Sequence, residues 1–219
     1  MKTTIVLFLA LLCASLTLAQ TGAPADSAAK AAAADSVKRA KAIADSLHME
    51  HLFSIAQYPW LKGSKWSGVL PVDDPTEVPE TGKDYKLLFE FTSKNPDSLA
   101  KEINTNLDEV ARLLNLHYAS GIRPEHIKPV ILIHGPGIRA VTNNESYQKR
   151  YQMDNPNIRL LSDMEKIGAK VIVCGQAMQF FKFERSDLLP EVKVSRTAQT
   201  VLSDYTERGY VVYKIEPDK

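Results

Sequence analysis

Cysteine is nearly missing from this chain: 219 residues hold two, Cys13 and Cys174. That scarcity excludes a disulfide framework and any cysteine-rich metal site. An excess of one charge is also lacking, with 27 basic and 26 acidic residues, so nothing electrostatic draws the chain to nucleic acid or to an anionic membrane. Long apolar runs are missing apart from Ile5 to Leu12 near the start, well short of the ~20 residues a spanning helix needs. No membrane span is expected in the mature protein. Neither a P-loop nor a G-x-S-x-G elbow occurs, which argues against P-loop nucleotide chemistry and against an α/β-hydrolase.

What is present begins with the short apolar run, which follows Met1-Lys2 and gives way to small residues and Thr17-Leu18-Ala19-Gln20. This is the layout of a secretory signal peptide cleaved after Ala19. Residues 1–19 are therefore expected to be removed and the protein to be periplasmic or secreted. Leu12 is too large for the position that precedes a lipidated cysteine, so Cys13 is expected to leave with the signal peptide. The loss of Lys2 brings the balance to 26 basic and 26 acidic residues (27 less one, against 26). Cys174 then stands alone, and is buried and inert, paired with another chain, or reactive.

Residues 20–56 are rich in alanine, with Ala-Asp-Ser recurring at 25–27, 34–36 and 44–46. Alanine favours helix, and Val37, Ala40, Ala44 and Leu47 form one thin apolar stripe. The segment reads as a helical tether, or alternatively as a partner-binding helix. His48 and His51 flank Glu50 one turn apart, but without a third ligand they read as polar surface and no metal site is expected. Residues 57–84 carry Pro59, Pro71, Pro75 and Pro79 with Trp60 and Trp66 between them. An extended lead-in follows, pinned to the domain by its aromatics.

A globular domain is expected over 85–219. Apolar runs at 86–91, 130–134, 170–174 and 210–215 read as strands. Between the first two, Asn95-Pro96-Asp97 should open a helix that carries Leu99, Ile103, Leu107, Val110 and Leu114 and stops at Gly121. A helix from Ile138 to Tyr151 is interrupted at Asn143-Asn144, and a second, opened by Asn155-Pro156, buries Leu160, Leu161, Met164 and Ile167 before Gly168. Further helices are expected from Gln176 to Phe181 and from Val194 to Arg208. Strands alternating with helices predict an α/β fold: a mostly parallel open sheet flanked by helices on both faces, in a flavodoxin-like arrangement.

In such a sheet ligands bind outside the carboxyl ends of the strands. Two strands end there in chemically capable residues: His134, before Gly135-Pro136-Gly137, and Cys174, before Gly175-Gln176. Cys174 should lie ahead of a helix, whose unpaired N–H groups and dipole would stabilise negative charge on sulfur. Gly175 would let the backbone turn tightly and leave the sulfur approachable. The other reading of Cys174 is a small buried hydrophobe. His134 is a hydrogen-bonded structural residue, or a proton shuttle if it neighbours Cys174. Gly135-Pro136-Gly137-Ile138-Arg139-Ala140 also fits G-x-G-x-x-A after a strand. No acid is placed to hold a ribose, which argues against a nucleotide, although the glycine turn could still bind a small anion through backbone N–H groups.

These residues resemble the DsrE/DsrF-like family, in particular its exported members. The matching pieces are Tyr85 to Phe89, Leu113-Leu114-Asn115, Val130 to Pro136, Asp154-Asn155-Pro156-Asn157, Val173-Cys174-Gly175-Gln176, Leu189-Pro190-Glu191-Val192 and the Gly209-Tyr210 turn. Gly68 and Leu70-Pro71 also resemble the lead-in of exported relatives. The resemblance implies a compact α/β sandwich that assembles as a homo-oligomer, a trimer or hexamer. It implies too that Cys174 carries sulfur as a persulfide between a donor and an acceptor protein, with no cofactor. His134, Gly135, Gly137, Gly175 and Gln176 would surround that sulfur. The alternative is a non-catalytic binding or assembly module on the same fold.

Overall fold

The computed structural model describes residues 23–216; the expected signal peptide and Cys13 lie outside them. The chain divides after Met49 into two compact units. Helix α1, Ala23–Ile55, fills the described part of the first unit and enters the second. Its Val37, Ile43 and Leu47 are exposed. No helix among the described residues is long and apolar enough to cross a membrane.

The second unit is built on five parallel strands: β1 (Tyr85–Phe91), β2 (Ile127–Ile133), β3 (Lys170–Cys174), β4 (Lys193–Ser195) and β5 (Val211–Lys214), in the order β4-β3-β2-β1-β5. Pairings such as Phe89↔Ile131 and Ile131↔Val171 carry one register across the central strands. Alternation along them divides the core into two layers. One buries Phe89, Ile131 and Val171 against α2 (Thr105–Ala119) and α4 (Ile158–Lys166). The other buries Leu88, Leu132, Ile172 and Cys174 against Ala198 and Tyr205 of α6 (Ala198–Glu207). Helices therefore cover both faces of a parallel α/β sheet.

Two boundaries differ from expectation for local reasons. The segment after Asn95 forms only a short 3-10 turn, Asp97–Leu99, and α2 begins at Thr105. Asn104 is the true cap, its side chain accepting from the N–H groups of Asn106 and Leu107. Asn95 instead holds the connecting loop, donating to the carbonyls of Leu99, Glu102 and Ile103, and Leu99 is left exposed. The second difference is β4, which occupies the start of the expected last helix; that helix begins at Ala198, capped by Thr197. The break at Asn143 is as expected: a 3-10 stretch, Gly135–Val141, precedes α3 (Asn144–Tyr151), and Asn143 caps it.

The lead-in is held chiefly by one buried amide. Asn115 on α2 accepts from the N–H groups of Trp60 and Leu61 and donates to the carbonyls of Leu61 and Ser67. Leu61, Ser67 and Val69 are buried, and Gln57 pairs with Val69 in an antiparallel bridge. Trp60 stacks on Tyr118, whereas Trp66 stays exposed with its edge toward Phe53. Ser64 adds a second anchor, donating through its N–H and hydroxyl to the carboxylate of Asp108. Burial raises the Asp108 pKa above the ordinary carboxylate value, and the two bonds from Ser64 oppose that rise.

Candidate functional site

The site at the carboxyl edge is fixed by sheet register. The β2–β3 ladder ends with Ile133 opposite Val173, so the next residues, His134 and Cys174, are neighbours on strands ~4.8 Å apart. Alternation turns both toward the α6 layer, as it does Leu132 and Ile172 before them. Glu90 of β1 lies level with Leu132 on that face. His134 Nε2 lies 3.0 Å from Glu90 Oε1. A carboxylate can only accept, so Nε2 is the donor, which in a neutral ring leaves Nδ1 as the acceptor. The other Glu90 oxygen, Oε2, is buried without a partner.

Cys174 is only 5% exposed. Its sulfur accepts a hydrogen bond from the backbone N–H of Ala198 at 3.3 Å. Ala198 is the first residue of α6, where a helix leaves its N–H groups unpaired and its dipole is positive. Thr197 takes up the next donor, Gln199 N–H, so cap and sulfur divide the α6 N-terminus between them. The amide at the sulfur thus comes from α6, the helix that follows β4 in the chain. It does not come from α5 (Gly175–Phe181), the seven-residue helix that directly follows Cys174 and receives no side-chain cap from it.

The glycines act differently from expectation. A Cβ on Gly175 would lie 2.7 Å from Ser195 O, so glycine is required there by the close approach of β4. No left-handed turn is involved. Gly135 adopts φ +58, a conformation that favours glycine. Gly137 donates its N–H to Thr92 O at 2.6 Å, and a Cβ on it would meet the same oxygen at 3.0 Å. The glycine turn is thereby clamped onto the end of β1, with the Gly137 donor occupied. It continues as a 3-10 stretch, not as the helix start a dinucleotide fingerprint requires. Gln176 is exposed.

His134, Cys174, Gly135 and Gly175 are therefore gathered at one sheet edge. Gln176 faces outward there, and Gly137 belongs to the clamp. Sequence reasoning missed Glu90 and Ala198. A lone acid inside the apolar run Leu88-Phe89-Glu90-Phe91 was the available signal for the first; the second acts through its backbone and leaves no mark in residue type. A cavity of ≈ 20 Å³ and a groove of ≈ 340 Å³ by Pro129, Lys170 and Tyr210 lie elsewhere, and Cys174 lines neither. Among the described residues no group of three or more His, Cys, Asp or Glu side chains is placed to hold a metal ion.

No curated protein matches the sequence. Among solved structures the chain is similar to a protein of unknown function, MTH1491, from Methanobacterium thermoautotrophicum. That likeness has 14% identity and a TM-score of 0.44, and covers 60% of this chain and 100% of that one. The model of the DsrE/DsrF-like family matches residues 86–213, from the second residue of β1 to the third of β5, so that all of the sheet but Tyr85 and Lys214, the His134–Glu90 pair and Cys174 fall within it. The chain belongs to the DsrE/DsrF-like family.

Proposed function

We propose that the protein is an exported sulfur carrier that holds sulfane sulfur as a persulfide on Cys174. The family is associated with sulfur relay, and the observation that carries the reading to this residue is the Ala198 N–H aimed at the sulfur, 3.3 Å away. That donor suits a terminal sulfur bearing negative charge. His134, oriented by Glu90, would take the thiol proton at Nδ1. The Cys174 thiolate would then attack the outer sulfur of a donor persulfide: one S–S bond forms, the donor's S–S bond breaks, and the donor leaves as a thiol carrying the proton from His134. An acceptor thiolate reverses these steps, with no net oxidation. Because Cys174 is 5% exposed, a donor reaches it only when the packing around the sulfur opens.

The test is intact-mass spectrometry after incubation with a sulfane-sulfur donor. One added sulfur on wild type and none on Cys174→Ser is expected; no addition, or equal addition to both, refutes the proposal. Export and a homo-oligomer belong to the same reading. They are checked by sequencing the N-terminus of the protein recovered from outside the cytoplasm, expected at Gln20, and by light scattering, expected to report a trimer or hexamer.

The same burial favours a second reading, a non-catalytic binding or assembly module in which Cys174 is a packing residue. Native alkylation separates the two. Labelling within minutes supports the carrier, and protection until the protein unfolds supports the module.

A further inference from the structure

Outside the cysteine site, Arg139 is the cation whose surroundings are least complete. It lies in the 3-10 stretch after β2 and lines the ≈ 20 Å³ cavity at the carboxyl edge, together with Lys94 and Glu102 from the loop after β1 and Tyr147 and Tyr151 of α3. Its Nε is buried and has no hydrogen-bond partner. Among the described residues no carboxylate forms an ion pair with it, and its guanidinium carbon lies 5.7 Å from the centre of the Phe183 ring.

The neighbouring polar groups are already engaged. Lys94 bonds Asp97 at 2.6 Å and Arg150 reaches the same carboxylate at 3.5 Å. The Tyr147 hydroxyl donates to Ala100 O at 2.6 Å, and burial pushes its pKa up to about 12, so it stays neutral. Tyr151 donates to Asp97. Burial first, and the charge of Arg150 second, hold the Arg139 guanidinium below its usual pKa. Arg139 is only partly buried, but a buried donor such as its Nε is costly to leave without an acceptor. Lys94, Arg139 and Arg150 face one shared acid, Asp97, and an exposed one, Glu102, which makes no ion pair with Arg139.

We propose that the Arg139 cavity binds a small oxyanion, either an inorganic one or the carboxylate head of an organic acid. The guanidinium fork presents parallel N–H donors that match two oxygens of one group, and Lys94 adds positive charge at the rim. A cavity of ≈ 20 Å³ admits one such group and excludes a nucleotide. The ligand would join the loops after β1 and β2 to α3, three segments that meet at Arg139. Unlike the persulfide reading, this site makes no use of Cys174 and stands whether or not that reading holds.

Thermal melting of the full chain in graded sulfate, acetate and chloride tests it, with wild type compared against Arg139→Met, whose apolar stem can still pack on Phe183. The expected result is a saturable rise in melting temperature with sulfate or acetate, reduced at least tenfold in apparent affinity in Arg139→Met. The tighter of the two identifies the inorganic or the carboxylate ligand. Absence of a saturable response to either, equal responses in wild type and variant, or chloride matching both would overturn the site. Should Arg139→Met fail to fold, Arg139→Lys keeps the charge but loses the fork. Unchanged affinity in that variant overturns the proposal equally, and a clear weakening supports it.

Discussion

Replacing Asn115 with alanine should release the lead-in from the domain. Its side chain makes four bonds, all to backbone: it accepts from Trp60 N–H at 3.1 Å and Leu61 N–H at 2.8 Å, and donates to Leu61 O at 2.7 Å and Ser67 O at 2.9 Å. A protein hydrogen bond contributes about 1 kcal/mol net, and a buried group left without one costs about 1–3 kcal/mol. Leu61 is 2% exposed and Ser67 is fully buried, so water replaces few of these bonds while the segment stays in place. The upper bound is set by release of the segment, which gives up the burial of Leu61 and Val69, worth about 1.5–3 kcal/mol each. A loss of about 3–5 kcal/mol is expected. Asn115→Asp keeps the acceptor but turns a second oxygen toward two carbonyls, and should be no milder at neutral pH. Urea denaturation gives the magnitude, and hydrogen exchange at residues 57–69 gives the location. A loss below about 1 kcal/mol with unchanged exchange in that segment would refute the reasoning.

Three further outcomes are expected. Cys174→Ala should cost about 1–3 kcal/mol in chemical denaturation, since it leaves the buried Ala198 N–H unpaired and opens a small void; a cost under about 0.5 kcal/mol would mean that the sulfur is not a working acceptor. Gly175→Ala brings a Cβ to 2.7 Å from the Ser195 carbonyl, an overpacking of about 1–3 kcal/mol that should lower the melting temperature by roughly 3–10 °C. Asp108 has a raised pKa in the folded state because it is buried. The folded chain therefore binds this proton more readily than the unfolded one, and the group weakens the fold as pH climbs through that raised pKa. The stability of wild type relative to Asp108→Asn should improve on acidification from neutrality toward the ordinary carboxylate pKa of 3.8; a pH-independent difference would contradict this.

Much of this architecture could be read from residue order. The continuous apolar runs of β1, β2 and β3 identify strands buried on both faces, and Leu160, Leu161 and Met164 mark the inner side of α4. What escaped was set by partners distant in sequence. Lys193-Val194-Ser195 carries one apolar residue, itself exposed, so β4 is recognisable only by its pairing with β3. Asn95-Pro96 has the residues of a helix start, yet Asn104 captures that role because its own amide reaches the first free N–H groups of α2. Cys174 ends β3 as the apolar run suggests, but the amide at its sulfur belongs to α6 and not to the helix that follows it. Strand alternation turns the sulfur to the layer whose helix begins 24 residues later, and no local pattern encodes that direction.

The strand order also imposes a sequence of events on the newborn chain. β1 is made first, yet one flank of it waits for Val211–Lys214, the last of the five strands in chain order. Until they arrive the middle of the growing sheet presents an open row of amides and carbonyls, the kind of surface on which a second nascent chain can dock. Closure does more than shield that row. Ile215 donates its N–H to Glu90 O at 2.8 Å, gripping the residue that steadies His134, so the imidazole acquires its full support only after β5 has been made and paired.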